Sequence, residues 1–267
     1  MSEIIQNPWT RLRGFTNARL ALGRAGDSLP TSEVLDFALA HAQARDAVHN
    51  ALDVENLACD LKASGFESIA VQSAARDRAE YLRRPDLGRK LNDASRSLIE
   101  GCHPERSEGS ASLVDSNRRE APSAAFIIAD GLSAIAPARH AVPVLCEITS
   151  RLRGWRIAPI IIATQARVAL GDEIGELLNA EMIVMLIGER PGLSSPDSLG
   201  IYLTYNPHIN CTDADRNCIS NVRPEGLSYE AAAHRLHHLM IAARRAERSG
   251  IALKDESDSP QLNTRSP

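Results

Sequence analysis

Three short polar and glycine-containing segments directly follow three apolar runs in the sequence, at the positions where buried strands would end. These segments are residues 130–133 (DGLS), 164–168 (TQARV) and 188–193 (GERPGL). Open α/β sheets bind their ligands in the crevice outside the carboxyl ends of the strands. We therefore expect the three segments to converge on one ligand-binding rim.

The residue types within this rim suit a bound organic ligand. Gly131, Gly188 and Gly192 allow the backbone to approach a ligand closely or to adopt positive φ. Glu189 offers a hydrogen-bond acceptor and Arg190 an array of donors. The alternative is that the string Gly-Glu-Arg-Pro-Gly forms only a turn with a surface ion pair.

Other chemistries have weaker support. His234, His237 and His238 are spaced so that two of them share a helix face, but no carboxylate or cysteine completes a metal site, which favours a solvated surface. Cys218 could act as a nucleophile, although the sequence identifies no general base for it. The GxGxxG, GxxxxGK[ST] and GxSxG motifs are absent, so neither a familiar nucleotide clamp nor a hydrolase nucleophile is indicated.

Buried strands must position the rim. The runs 125–129, 158–163 and 182–187 are continuously apolar, which is typical of strands covered on both faces. Segments 133–153 and 171–179 have the length and spacing of the connecting helices. The pattern predicts an α/β fold with an open, Rossmann-like, mainly parallel sheet flanked by helices.

Further elements precede and follow this core. Apolar spacing predicts an amphipathic helix at 31–49 whose first residues supply capping groups, and a helical stretch at 78–99 interrupted by a proline. A short strand is expected at 68–73 and another at 200–205. A closing helix is expected at 229–248.

The chain divides into three parts on this evidence. Residues 1–67 form an N-terminal helical region, and residues 68–252 form the sheet domain. Residues 101–123 are rich in Ser, Glu, Arg and Pro, so we expect a disordered insertion there, and residues 253–267 have the composition of a disordered tail.

Composition excludes several functional classes. The 267 residues are 43% hydrophobic with a net charge of −4, which gives no basic face for nucleic acid. The five cysteines are widely spaced without CxxC pairs, so neither a disulfide framework nor a zinc site is indicated and a reducing cytoplasm fits best. No segment has the apolar length of a membrane span or a secretion signal.

Several long strings along the chain resemble the small-subunit family of ethanolamine ammonia-lyases. They are NPWTRLRGFTNARLALGRAG (7–26), LDFALAHAQARDAVH (35–49), YLRRPDLGRKL (81–91), IADGLSA (128–134), GDEIGELLNAE (171–181), LIGERPGLSSPDSLGIYLTYNP (186–207) and DADRNCISNVRPEGLSYEAAA (213–233). Together they cover the chain nearly end to end. Their common order makes the resemblance far more specific than any single motif.

The resemblance implies a cofactor and a partner. Adenosylcobalamin would lie between this chain and a large subunit that carries the catalytic residues, with six copies of each chain in the assembly. The complex would convert ethanolamine to acetaldehyde and ammonia by a radical mechanism. The family's cofactor contacts fall on Val168, Glu189 and Cys218 of this chain. Surrounding contacts are expected from Asp130, Gly131, Ser133, Gly188, Arg190, Pro191 and Gly192. The resemblance also implies a base-on cofactor, and the sequence agrees with this because it lacks the DxHxxG string of histidine-ligated cobalamin proteins.

The same resemblance predicts that residues 1–67 contact the large subunit. Residues 101–123 look like an insertion relative to the family pattern. The N-terminus begins almost at the NPW motif, so free cytoplasm is expected in preference to a bacterial microcompartment. Two alternatives stay open, namely a non-catalytic corrinoid carrier or scaffold and a free-standing enzyme that uses a nucleotide or Cys218.

Overall fold

A computed structural model describes residues 8–16, 18–101, 123–255 and 257. The helices are α1 (Thr31–His49), α2 (Val54–Ala63), α3 (Arg78–Arg83), α4 (Asp93–Gly101), α5 (Ile135–Thr149), α6 (Leu170–Leu177) and α7 (Tyr229–Ala246). The strands are β1 (Ser68–Gln72), β2 (Ala125–Ala129), β3 (Ile160–Thr164), β4 (Met182–Gly188), β5 (Leu199–Tyr205) and β6 (Arg216–Val222). Short 3₁₀ turns occur at Pro8–Gly14, Leu87–Arg89, Asp213–Asp215 and Gly250–Ala252.

The described strands form one six-stranded sheet in the order β1-β3-β2-β4-β5-β6. Strands β1 to β4 run parallel, whereas β5 and β6 continue the sheet antiparallel. The predicted α/β class and mainly parallel sheet are therefore confirmed. Strand β1 lies at the edge of the sheet beside β3, and β2 lies between β3 and β4. This strand order therefore differs from the 3-2-1-4-5-6 order of dinucleotide-binding sheets.

Each central strand buries both of its faces, as its continuous apolar run predicts. Phe126 and Ile128 of β2 point into a core shared with α5 and α7. Ile127 of β2 points to the other face, where it packs with Ile161 of β3 and Ile174 of α6. Because helices cover both faces, the ends of the parallel strands are the places where a ligand can reach the backbone.

The N-terminal helix has its predicted bounds but not its predicted cap or its amphipathic packing. The cap position is Pro30, whose carbonyl oxygen accepts hydrogen bonds from the amides of Glu33 and Val34, and no side chain caps the helix. The capping prediction is wrong because Thr31 is already helical. Of the helix's nineteen residues only Ala47 is buried, and its large apolar side chains at 34, 35, 37 and 39 are exposed.

Two other predictions fall largely outside the described residues. The expected insertion at 101–123 lies outside them except for its end residues, and most of the expected tail at 253–267 does as well. Within the described part of the chain, no helix is both long and apolar enough to cross a membrane.

Candidate cofactor site

The loops that follow β2, β3 and β4 meet at one cavity of about 460 Å³. Its wall combines apolar, charged and glycine residues from all three loops and from α3 and β5, namely Tyr81, Gly131, Leu132, Arg167, Val168, Ile187, Gly188, Glu189, Arg190 and Tyr202. The predicted convergence is therefore confirmed. We call the cavity that these residues line the rim cavity.

A larger cavity of about 520 Å³ lies at the opposite end of the sheet. Phe66, Ile69 and Pro159 line it where β1 and β3 begin, beside α2. Ligands of α/β sheets bind at the carboxyl ends of the strands, so the rim cavity is the better candidate despite its smaller volume.

Gly131 and Gly188 let two stretches of backbone touch, which differs from the ligand approach expected from sequence. Gly131 has a φ of +54°. A Cβ on Gly131 would overlap the carbonyl oxygen of Gly188, and a Cβ on Gly188 would overlap the carbonyl oxygens of Ser133 and Asp130. The amide of Leu132 also donates to the Gly188 oxygen at 2.9 Å. Both glycines thus fix the β2 loop against the end of β4.

Asp130 and Ser133 are buried and engaged within the chain. The Asp130 carboxylate accepts the amides of Gln165 at 2.9 Å and Ala166 at 3.0 Å, which ties the β2 loop to the β3 loop. The Ser133 hydroxyl donates to the carbonyl oxygen of Pro196 at 2.7 Å and so holds the β4–β5 connection. These two residues do not line the rim cavity, but their hydrogen bonds hold its loops in place.

Glu189 and Cys218 both lie close to Tyr202. Tyr202 lines the rim cavity and pairs with Cys218 across the β5–β6 ladder. Burial raises the pKa of Tyr202, and the neighbouring Cys218 thiol and Glu189 carboxylate raise it further. The Glu189 carboxylate accepts the Ser198 hydroxyl and, at 3.2 Å, the amide of Asn221. These bonds hold its position at the cavity wall.

The remainder of the Gly-Glu-Arg-Pro-Gly string forms a turn. Gly192 and Ser195 exchange backbone hydrogen bonds of 3.1 and 3.2 Å, and Pro191 precedes this turn outside the cavity wall. Arg190 is exposed and lines the cavity. The turn interpretation is confirmed for Gly192, whereas Glu189 and Arg190 belong to the rim.

Sequence reasoning missed Tyr81 as a rim residue. Its ring is fully buried between the guanidinium groups of Arg78 and Arg167, whose Cζ atoms lie 4.8 and 4.5 Å from the ring centroid. Its hydroxyl donates to the Ala166 oxygen at 3.1 Å, and burial raises the pKa of Tyr81 to about 12. The string 81–91 contained this residue, but no periodicity indicates that α3 supports the β3 loop.

Comparison with known proteins decides the family. Residues 6–254 match the family described as "Ethanolamine ammonia-lyase light chain (EutC)". The chain belongs to this family. Among similar proteins, "Ethanolamine ammonia-lyase small subunit" of Ralstonia nicotianae is 52% identical over 98% of this chain and 93% of its own length. The protein of the same name from Pseudomonas putida is 54% identical over 96% of this chain and 90% of its own length.

The alternative chemistries gain no support in this light chain. Within the described residues, which include His234, His237 and His238, no group of three or more histidine, cysteine or acidic side chains is placed to hold a metal ion. Burial lowers the pKa of His237. Cys218 is exposed, and the polar side chains beside it are the Ser220 hydroxyl at 3.3 Å and the Tyr202 phenol, whose pKa is raised, so neither is a general base.

Proposed function

We propose that this light chain holds one side of adenosylcobalamin, bound base-on, while a large subunit covers the other side and carries the catalytic residues. The observation that supports this most strongly is the rim cavity itself, because three loops predicted to bind one ligand converge there. When bound, adenosylcobalamin supplies the radical chemistry that converts ethanolamine to acetaldehyde and ammonia. The light chain's own task is to bind and orient the cofactor.

The rim residues fit part of such a cofactor. A pocket of a few hundred Å³ encloses a drug-sized ligand, and adenosylcobalamin is considerably larger, so a cavity of about 460 Å³ suits one edge of it. Leu132 and Val168 offer apolar contacts to a corrin edge, and Glu189 offers an acceptor to its amide groups. Arg167 lines the cavity, and its Nε is buried without a hydrogen-bond partner among the described residues, as expected of a site that a ligand completes.

The proposed contacts divide into two groups. Val168, Glu189 and Cys218 would contact the cofactor, with Arg190 beside them. The other predicted residues hold the loops in place, and these are Asp130, Gly131, Ser133, Gly188, Pro191 and Gly192. Free thiols at the four described cysteines support a reducing cytoplasm as the location.

Helix α1 supplies a surface for the large subunit. Leu35 and Leu39 lie four residues apart on one face of the helix, and their side chains are 63% and 60% exposed in the light chain. Exposed apolar patches of this kind mark protein–protein contact sites, which supports residues 1–67 as the docking region.

Replacing Leu35 and Leu39 together by glutamine tests this surface. We expect unchanged thermal stability of the isolated chain, because neither side chain is buried, and association with the large subunit weakened about 10- to 100-fold by lost apolar burial. Titration calorimetry measures the association. Ile241→Gln on α7, which is 41% exposed, is the matched control. An unchanged affinity of the double variant would remove α1 from the interface, and an equal loss in the control would show that the effect is not specific to α1.

The Glu189→Ala variant tests the cofactor contact. In the complex with the large subunit we expect the cobalamin dissociation constant to rise about 5- to 150-fold, the equivalent of 1 to 3 kcal/mol for a polar contact at a buried site. Equilibrium dialysis gives this constant. Glu230→Ala, at an exposed position of α7 outside residues 1–67, should leave it unchanged. An unaltered constant in the Glu189 variant would reject its role.

Co-expression with a large subunit tests the activity. Acetaldehyde should form from ethanolamine only when both chains and adenosylcobalamin are present. Activity of the isolated light chain that Cys218→Ala abolishes would favour the free-standing enzyme. Tight corrinoid binding without any complex formation would favour the carrier.

A further inference from the structure

Arg167 is held rigidly in the wall of the rim cavity. Its guanidinium carbon lies 4.5 Å from the centroid of the buried Tyr81 ring. Its amide donates to the Gly88 oxygen at 2.8 Å, and a Cβ on Gly88 would lie only 2.9 Å from the Arg167 Cγ, so the stem packs closely there. A stacked guanidinium loses little further freedom when it binds a ligand.

This guanidinium lacks a carboxylate partner. Within the described ranges of the chain, neither Arg167 nor Arg190 forms an ion pair, and the Nε of Arg167 is buried without a hydrogen-bond partner. Glu189 is the carboxylate in the cavity wall, and its Oε2 accepts hydrogen bonds from the Ser198 hydroxyl and the Asn221 amide. A buried donor without an acceptor is costly, so the site is suited to an external anion.

We propose that Arg167, assisted by the exposed Arg190, forms an anion subsite that takes a phosphodiester. Guanidinium groups match the paired oxygens of a phosphodiester, and one fixed by stacking does so with little loss of entropy. The inference rests on the proposed function, because the nucleotide loop of adenosylcobalamin carries a phosphodiester. It deepens that function by assigning a part of the cofactor to a part of the rim.

Comparing the binding of two corrinoids, cobalamin and cobinamide, tests the anion subsite separately from the rest of the cavity. Cobinamide keeps the corrin ring of cobalamin but lacks the nucleotide loop and its phosphodiester. In the complex with the large subunit, Arg167→Met should raise the dissociation constant of cobalamin about 10- to 100-fold, as loss of a charged hydrogen bond does. The constant for cobinamide should change less than about twofold, and Arg167→Lys should restore part of the cobalamin affinity because its charge remains.

The controls keep the inference distinct from the proposed function. Arg245→Met, at an exposed position of α7, should change neither dissociation constant. If Arg167→Met fails to fold, Arg190→Met, whose side chain is exposed, should give a smaller loss specific to cobalamin. Equal weakening of both corrinoids, or weakened subunit association without any corrinoid, would overturn the anion subsite. Failure of the unaltered complex to bind either corrinoid would instead overturn the proposed function.

Discussion

Replacing Gly188 by alanine is expected to destabilise the light chain by about 4 kcal/mol, because the added methyl group meets backbone that cannot rotate away. The obstructing atoms are the carbonyl oxygens of Ser133 and Asp130, in the loop that begins α5. Relief requires that loop to leave the end of β4, which would open the rim cavity. Urea unfolding of the isolated chain measures the change.

Gly101→Ala is the matched control for this substitution. A Cβ on Gly101, the last residue of α4, meets no described residue within 4 Å, so alanine should be neutral or stabilise the chain by up to about 1 kcal/mol. In addition, the Gly188 variant should lose cobalamin affinity in the complex, whereas the Gly101 variant should keep it. A Gly188 variant of unchanged stability would contradict the backbone contact described at the rim.

Replacing Arg216 by methionine is expected to cost about 3 to 5 kcal/mol, because it strands a buried carboxylate. Arg216 and Asp172 form an ion pair whose side chains are 2% and 3% exposed. Arg216 also donates to the Cys211 oxygen at 3.1 Å. Replacing both members, in Asp172→Leu with Arg216→Met, should recover most of the loss because no buried charge remains.

The cost of Arg216→Met should depend on pH. Burial raises the pKa of Asp172 to about 6 even beside Arg216. A carboxyl whose pKa is higher in the folded chain than in the unfolded chain binds more protons when folded, so its contribution to stability falls as pH rises towards 6. Without Arg216 this pKa rises further, and the deficit should be smaller at pH 5 than at pH 8 in urea titrations. A deficit independent of pH would mean that Asp172 is not the stranded group.

The parallel core was predictable because each of its strands is buried on both faces. The run 125–129 coincides with β2, and the runs at 158–163 and 182–187 differ from β3 and β4 by at most two residues at either end. Strand β6 was missed because it is an edge strand with exposed residues, including Cys218, so no continuous apolar run marks it. Helix α2 was missed because its buried residues are few, with Leu57 and Leu61 the only ones.

The rim was predictable in position but not in detail. The convergence of three loops follows from strand direction, whereas the contacts behind them come from residues distant in sequence. Arg78, for example, lies 52 residues from the Asp130 carboxylate that it pairs with at 3.3 Å. The role of Gly131 and Gly188 could not be predicted either. The sequence shows only that a glycine is present, and it does not show whether a ligand or the neighbouring backbone requires it.

The loops at the carboxyl ends of β2, β3 and β4 are proposed to form one side of a corrinoid site that a large subunit completes. Hydrogen exchange of the complex, with and without hydroxocobalamin, tests it most directly. Amides of 165–168 and 187–192 should exchange more slowly when the corrinoid is bound, while those of 66–69, at the opposite end of the sheet, should not change. A bound corrinoid that leaves the rim amides unprotected, or that protects 66–69 instead, would contradict the account.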